Sequence, residues 1–281
     1  GYALNLLEDL EKWAETSKIL PFTQNGFRPK SSTIDNIIAL AYLAYKARQP
    51  NSLPLFCCLV DFSAAFDRVD RNKLWTKLAL WGVPAKLLQG IISLYSNTWV
   101  QIKLDPNHVT KAYNTIKGLK QGCVLAPMLF NLYTADLPQA IAGACLSLPK
   151  IGGTKLQSLQ YAYDLVILDQ TKVGLRRSLT TLHAYNSCND LLLNVAKTKV
   201  MIFGKYPHKG TIKWRVGQQL VSTCNTYKYL GVWMTDQLSS SKHGTTLKVK
   251  SGVIMHALRK LHRLLPCPTV VPILNILKAK L

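Results

Sequence analysis

Acidic residues are scarce in this chain: 14 Asp and Glu stand against 35 Lys and Arg in 281 residues, a formal charge of +21. That imbalance argues against a cationic partner and points to a polyanion, with nucleic acid first. Long apolar runs are missing as well. Stretches such as residues 37–45 and 53–60 fall well short of the roughly 18 residues a membrane span requires, so neither a transmembrane helix nor a membrane partner is expected. The N-terminus lacks the order of charged segment, apolar stretch and small-residue cleavage site that marks a secretory signal. The seven cysteines (57, 58, 123, 145, 188, 224 and 267) are odd in number and show no CxxC pair or Cys/His zinc spacing, and the six His show no HxxxH spacing. These absences speak against a disulfide framework and a zinc site. Buried, reduced thiols in a cytosolic or nuclear setting are the expectation. No internal repeat or low-complexity tract is visible.

What is present is a 48% hydrophobic chain, enough for one large mixed domain or two smaller ones. It begins at Gly1 rather than Met and ends in a helix-like stretch, residues 275–281, without a stop signal, so it reads as a segment of a longer protein with flanking domains. Apolar spacing predicts a helix over 2–19 with acids early, then a basic, Gly/Pro-punctuated loop over 24–32. Thr33 and Asp35 lead into a capped helix ending near Arg48. The apolar run 53–60 predicts a central strand buried on both faces. Helical spacing returns over 64–80 and over 84–94, beyond a Trp81-Gly82-Val83 break. Residues 100–104 and 111–116 resemble a hairpin across Asp105-Pro106-Asn107. A glycine-bounded loop from 118 leads to a helix over 128–135, and 156–168 predicts two short strands about a tight turn at Ala162-Tyr163. A helix from 174 to about 192, a strand over 199–203, a strand over 227–234 broken by Gly231, and a lysine-rich helix over 242–260 complete the pattern. Strands alternating with helices predict a layered α/β or α+β architecture.

Asp61 closes the apolar strand and opens Asp-Phe-Ser-Ala-Ala-Phe-Asp, so one carboxylate stands at a strand end with Asp67, expected on a helix, six residues later. The turn Tyr161-Ala162-Tyr163-Asp164 offers a matching carboxylate at Asp164. Phosphoryl transfer by two divalent cations needs carboxylates that converge on ions about 3.5–4 Å apart, and strand ends and tight turns are rigid enough to supply them. Between the two lies Gly118-Leu119-Lys120-Gln121-Gly122-Cys123, whose glycines permit close backbone approach to a nucleotide and whose Gln121 can hydrogen-bond near it. Taken singly, each residue has a bland explanation. An Asp after a strand is usually a cap or a solvated charge, Phe66 is usually core, and Lys197 and Lys199 are ordinary solvated lysines; only the ordered set raises them above that.

That ordered set resembles the reverse transcriptases, and the non-LTR (LINE-type) retrotransposon branch in particular. Gln24-Asn25-Gly26-Phe27-Arg28-Pro29 with Ser31-Ser32-Thr33-Ile34-Asp35-Asn36 is similar to that branch's fingers motif. Residues 61–69, 118–130 and 160–168 are similar to the three palm motifs, the last usually written YADD. Residues 194–203 with Lys197-Thr198-Lys199 resemble the fourth, and Tyr227-Lys228-Tyr229-Leu230-Gly231 the primer grip. The resemblance implies an α+β, right-hand polymerase fold with a ferredoxin-like palm (55–83 and 118–235), helical and hairpin fingers (1–54 and 84–117) and the start of a helical thumb (236–281).

It further implies RNA-directed DNA polymerase activity with an RNA template, a DNA primer, deoxynucleoside triphosphates and two Mg²⁺ ions, Mn²⁺ being a possible substitute. Asp61 and Asp164 become metal ligands, Phe66 the gate against a 2′-hydroxyl, Arg28 a triphosphate contact, and Gln121 and Gly122 part of the nucleotide pocket. Tyr229, Leu230 and Gly231 take the primer-grip role, and Lys197 or Lys199 the protonation of pyrophosphate. A retroelement enzyme of this kind is expected in cytoplasm and nucleus as a ribonucleoprotein, not secreted. An RNA-directed RNA polymerase shares the palm logic but would want a smaller or polar residue than Phe66.

Two departures qualify the match. Where the third palm motif has two consecutive aspartates, this chain has Tyr163 and then Asp164, which removes one of three metal carboxylates. A phenol carries no charge at neutral pH and is a poor ligand for Mg²⁺. If the loss costs about 4 kcal/mol of transition-state stabilisation, the rate falls about a thousandfold. Impaired activity is therefore expected, and a non-catalytic nucleic-acid-binding remnant is the alternative. The second departure is Lys30, where the fingers motif usually has Gly before a basic residue; it keeps positive charge near an incoming triphosphate. The cations Lys242, Lys248, Lys250, Arg259, Lys260 and Arg263 suit either a solvated face or a thumb surface along a duplex.

Overall fold

A computed structural model describes residues 1–238 of the chain, apart from 102, 106, 107 and 208. The expected lysine-rich helix over 242–260, nearly all of the expected thumb, and Cys267 lie outside the described residues. The described residues form two compact units, one of Phe22–Phe62, Leu137–Tyr185 and the described residues from Leu193 on, the other of Gly1–Pro21, Ser63–Asp136 and Asn186–Leu192.

The first unit is built on a six-stranded sheet. In chain order its strands are β1 (Leu55–Val60), β2 (Ser158–Tyr161), β3 (Asp164–Asp169), β4 (Lys199–Phe203), β5 (Trp214–Val216) and β6 (Gln219–Thr223), arranged β5-β6-β4-β1-β3-β2. All six residues of β1, Leu-Phe-Cys-Cys-Leu-Val, are buried, as a continuous apolar run demands of a strand with neighbours on both edges. β1 runs antiparallel to both β3 and β4.

One face of the sheet is covered by α2 (Thr33–Ala47). Its Ile37, Leu40, Ala41 and Ala44 pack in one core with Leu55, Cys57, Leu59, Val166, Leu168, Met201 and Phe203. The alternation is that of a pleat, with odd positions of β1 and even positions of β3 facing the helix. The helix starts where the sequence places it, in a capping box between Ser32 and Asp35, in which the Ser32 N–H donates to Asp35 Oδ2 at 2.8 Å. The hairpin β7 (Thr226–Tyr229) and β8 (Val232–Thr235) adds Tyr229 and Met234 to the same core. The broken strand expected over 227–234 is thus two strands about the loop Leu230–Gly231, whose φ values of 46° and 81° are those of a tight I′-type hairpin turn.

The second unit carries α1 (Tyr2–Thr16), α3 (Arg71–Leu80), α4 (Ala85–Ser96) and α5 (Ala126–Tyr133). Trp99–Val100 pairs with Tyr113–Asn114 and Lys103–Asp105 with His108–Val109, as the hairpin reading expects.

The helix expected over 64–80 begins only at Arg71. Residues 64–68 form turns, with Ala64 at φ 48°, because the carbonyls that would propagate a helix are engaged elsewhere. The Phe66 carbonyl accepts the Leu119 N–H and the Val69 carbonyl the Gly118 N–H, both at 2.8 Å, and Asp70 caps α3 through the Lys73 N–H. Asp67 is therefore on an exposed turn, not on a helix. The helix expected over 174–192 runs Lys172–Cys188 and is stopped by Asp190 in the left-handed region, φ 52°.

Of the six described cysteines, all free, Cys57 and Cys58 are buried as expected and their thiols are pushed up by burial, whereas Cys188 is exposed. No described helix is long and apolar enough to cross a membrane.

Composition gives no hint of the buried arginine that ties this unit together. Arg71, 5% exposed, donates to the carbonyls of Thr115 (2.6 Å), Gly118 (2.7 Å) and Tyr95 (3.2 Å), with its guanidinium 5.2 Å from the Tyr95 ring centre. Replacing it by Leu removes the donors and leaves buried carbonyls unpaired. Arg71→Leu is expected to lower stability by about 3 kcal/mol in urea unfolding; a loss under about 1 kcal/mol would mean that water substitutes for the guanidinium.

Candidate active site

The register of the central strands decides what the two sequence-predicted carboxylates can do. Val60 of β1 pairs with Leu165 of β3, so the next position along sets Asp61 opposite Asp164, and Asp164 in turn pairs with Tyr161 of β2. Directly opposed residues in antiparallel strands share a face with Cβ atoms about 5 Å apart. Tyr161, Asp164 and Asp61 therefore form one cross-strand row.

Each end of the carboxylate pair is gripped through its backbone. The Asp61 N–H donates to Thr198 Oγ1 at 3.1 Å, and the Asp61 carbonyl accepts the Asn194 N–H at 2.8 Å. Thr198 is fully buried, and its own N–H closes the turn on the Asn194 carbonyl at 2.8 Å. Asp164 follows a two-residue loop, Ala162–Tyr163, with Ala162 at φ 53°. Gln24, fully buried, accepts the Ala162 N–H on Oε1 at 2.9 Å and donates Nε2 to the Ala162 carbonyl at 3.4 Å. The same Oε1 takes the Gly26 N–H at 2.8 Å. A Cβ on Gly26 would overlap the Ala162 amide nitrogen, so the position requires glycine. The Gln160 N–H donates to the Thr23 carbonyl and its carbonyl accepts the Asn25 N–H, both at 2.9 Å, which lays this segment along the edge of β2. Asn36 completes the network, donating Nδ2 to the Gln160 carbonyl at 2.8 Å and accepting from Asn25 at 2.6 Å.

Burial, and then the charge of Asp61, push the Asp164 carboxyl up to about 6. Burial, followed by the charges of Asp61 and Asp164, pushes Tyr227 up to about 12, so the Tyr227 hydroxyl lies in the field of both carboxylates. Sequence reasoning passed over Tyr227, Thr198, Asn194 and Gln24. All four fall inside the recognised motifs, but only packing and register reveal their contacts.

The remaining expected residues divide between the two units. In the sheet unit, Arg28 Nη1 donates to the Gln24 carbonyl at 3.2 Å, and exposed Lys30 sits at φ 59°. That left-handed backbone is a physical reason for the glycine usual at this point of the motif; a lysine there costs about 1 kcal/mol. Lys199 donates to Ser222 Oγ at 2.8 Å, and Lys197 is exposed. Tyr229 is buried in the core, with Leu230 and Gly231 at the loop beyond it. In the helical unit, Phe66 is half-buried with its ring 5.2 Å from that of Phe130. Gln121 donates Nε2 to Asp67 Oδ1 at 3.1 Å, and Gly122 is exposed at φ 81°.

Among the described residues, no three or more His, Cys, Asp or Glu side chains gather where they could hold a metal ion. The donor set on the sheet is two opposed carboxylates, which suits one dication. Tyr163, the residue before Asp164, is 39% exposed.

Because the folded-state carboxyl of Asp164 binds its proton more tightly than an unfolded one, its contribution to stability is present below about pH 4. That contribution is lost as pH rises through 6. After allowance for the solvent that reaches the group, the loss is on the order of 1–2 kcal/mol. Urea unfolding between pH 4 and 7.5 is expected to show this fall in the parent and not in Asp164→Asn; superimposable profiles would mean that the Asp164 carboxyl is not pushed up in the folded protein. Gln24→Ala, which strands both polar groups of Ala162, should cost about 2–4 kcal/mol in the same assay. A change within 0.5 kcal/mol would show that the turn holds itself.

With this geometry established, comparison with known proteins is specific. The chain is 25% identical over 220 residues to the retrovirus-related Pol polyprotein from the type-2 retrotransposable element R2DM of Drosophila melanogaster, covering 75% of this chain and 20% of that protein. It is 24% identical over 207 residues to the Pol polyprotein from the type-1 element R2 of Popillia japonica, covering 71% and 34%. With the RNA-directed DNA polymerase from the mobile element jockey of Drosophila funebris it shares 23% identity over 246 residues, covering 83% and 25%. The chain thus spans about a fifth to a third of these relatives.

Among solved structures it resembles telomerase from Candida albicans, in complex with a fragment of telomeric RNA, at TM-score 0.53 and 13% identity over 88% of this chain and 40% of that one. Apo telomerase from Candida tropicalis gives TM-score 0.51 and 11% identity over 84% and 44%. At such identities the likeness concerns the fold, and the α+β, right-hand polymerase fold read from the sequence is the one found. The family model described as reverse transcriptase (RNA-dependent DNA polymerase) matches residues 4–234, and the chain belongs to that family as a reverse transcriptase domain of the retroelement type.

Proposed function

We propose that this domain carries out, or descends from a domain that carried out, RNA-templated extension of a DNA primer with deoxynucleoside triphosphates, at the site marked by Asp61 and Asp164. Members of the family generally use divalent metal ions, a nucleic-acid template and nucleotides. The observation that carries the reading is the register that sets Asp61 opposite Asp164, since two carboxylates held at that spacing repel each other until a cation lies between them.

Asp61 and Asp164 would hold a divalent ion, Mg²⁺ or Mn²⁺, which when bound lowers the pKa of the attacking hydroxyl and offsets phosphate charge. Thr198 and Asn194 fix the Asp61 backbone, and Gln24 fixes the turn before Asp164, so neither carboxylate needs to reorganise when the ion arrives. Arg28 and Lys30 place positive charge on the loop beside the turn, where a triphosphate would be drawn. Roles toward the nucleotide for Phe66, Gln121 and Gly122, toward pyrophosphate for Lys197 or Lys199, and toward the primer for Tyr229, Leu230 and Gly231 rest on the family resemblance. Tyr163 leaves the donor set one carboxylate short of the family's three and so favours weak activity. The second reading, a nucleic-acid-binding remnant without catalysis, rests on the same residue.

Extension of a DNA primer on an RNA template, with Mg²⁺ and with Mn²⁺, separates the two. The parent is expected to extend weakly and Tyr163→Asp to extend faster by up to about a thousandfold. A Tyr163→Asp protein that binds primer–template and gains nothing would remove the missing carboxylate as the explanation.

A further inference from the structure

Phe27 combines two features that seldom meet. Its backbone lies at φ 51°, a region that a bulky side chain enters only under strain, and 50% of the residue stays exposed to solvent. A hydrophobic side chain held in a strained conformation without being buried is not there for the core. Its neighbours hold it in place: Gly26 packs against the Ala162 nitrogen, and the bond from Arg28 to the Gln24 carbonyl closes the loop on the other side. The Phe27 ring lies 6.1 Å from the half-exposed Tyr161 ring at 41°.

Tyr161 is also the first member of the row Tyr161–Asp164–Asp61, so its Cβ lies about 5 Å from that of Asp164 and the aromatic pair begins beside the nearer carboxylate residue. Arg28 and exposed Lys30 put two cations on the same loop. Exposed aromatic faces interleaved with cations are how single-stranded nucleic acid is held without regard to sequence, since every base has a face to stack.

We propose that Phe27 and Tyr161 form a stacking platform for an unpaired nucleobase, with the strand that carries it running on toward Asp164. This assignment rests on the reading of the domain as one that binds a primer–template. It adds to that reading a specific subsite: the first unpaired template base next to the primer end stacks on Phe27, and the strain in the Phe27 backbone is the cost of holding the ring out.

The test uses the chain as it stands and needs no catalysis. A fluorescein-labelled DNA primer is annealed to an RNA template with a short 5′ overhang, and a single abasic site is walked along the overhang. One position is expected to weaken binding to the parent about tenfold or more. Phe27→Gly, which suits a positive φ, is expected to melt within about 3 °C of the parent. It should nevertheless bind the intact template about tenfold more weakly and be indifferent to the abasic site, and Phe27→Trp should restore both affinity and sensitivity. An abasic penalty that persists in Phe27→Gly, or a parent with no sensitive position, overturns the platform while leaving the polymerase reading in place. A parent that binds no primer–template overturns both.

Discussion

A single side-chain amide holds the turn that precedes Asp164. Gln24 uses its oxygen for the Ala162 N–H and its nitrogen for the Ala162 carbonyl, so the one residue of the turn that lies in the left-handed region is bonded on both sides by a group from far away in the sequence. A two-residue loop led by Ala, not Gly, has no conformational reason of its own to adopt that backbone. The amide makes it stable, and because an amide is donor and acceptor at once, one planar group serves both the N–H and the carbonyl of Ala162. From that bond follow the place of Asp164, the row it forms with Asp61, and the closeness of Gly26 that brings Phe27 beside Tyr161.

The same architecture stores electrostatic energy. Two carboxylates on adjacent strands, one of them partly desolvated, make an arrangement that a fold would avoid unless something cationic compensated it. The backbone grips from Thr198 and Asn194 on one side and Gln24 on the other keep the pair from relaxing apart. Rigidity here leaves the repulsion between the two carboxylates unrelieved.

How much of this was legible in the sequence depends on the range of the interaction. β1 announced itself as six apolar residues, and the capping box at Ser32 and Asp35 announced α2, because both are local. Asp61 and Asp164 were legible as a pair through their motifs, although their register became visible only when β1 and β3 were aligned. The turn at residues 64–68 was misread as helix because the Phe66 carbonyl, and that of Val69 just beyond it, are taken by Leu119 and Gly118, about fifty residues away, which no local periodicity records. Arg71 and Tyr227 were passed over for a similar reason: their importance lies in what surrounds them, three carbonyls in one case and two carboxylates in the other. Lys30 was recognised as a departure from the motif, but its left-handed backbone, which explains the usual glycine, belongs to the structure.

The contact between Gly26 and Ala162 has a consequence for how such a domain can vary. Each position is small because the other is near, so the fingers motif and the third palm motif are not free to drift apart: a side chain gained at 26 must be answered by a shift of the turn at 162, and a shift there moves Asp164. Two short motifs separated by well over a hundred residues are thus a single unit of inheritance. A chain that changed at one of these positions alone would lose the shape of the turn before it lost the sheet around it.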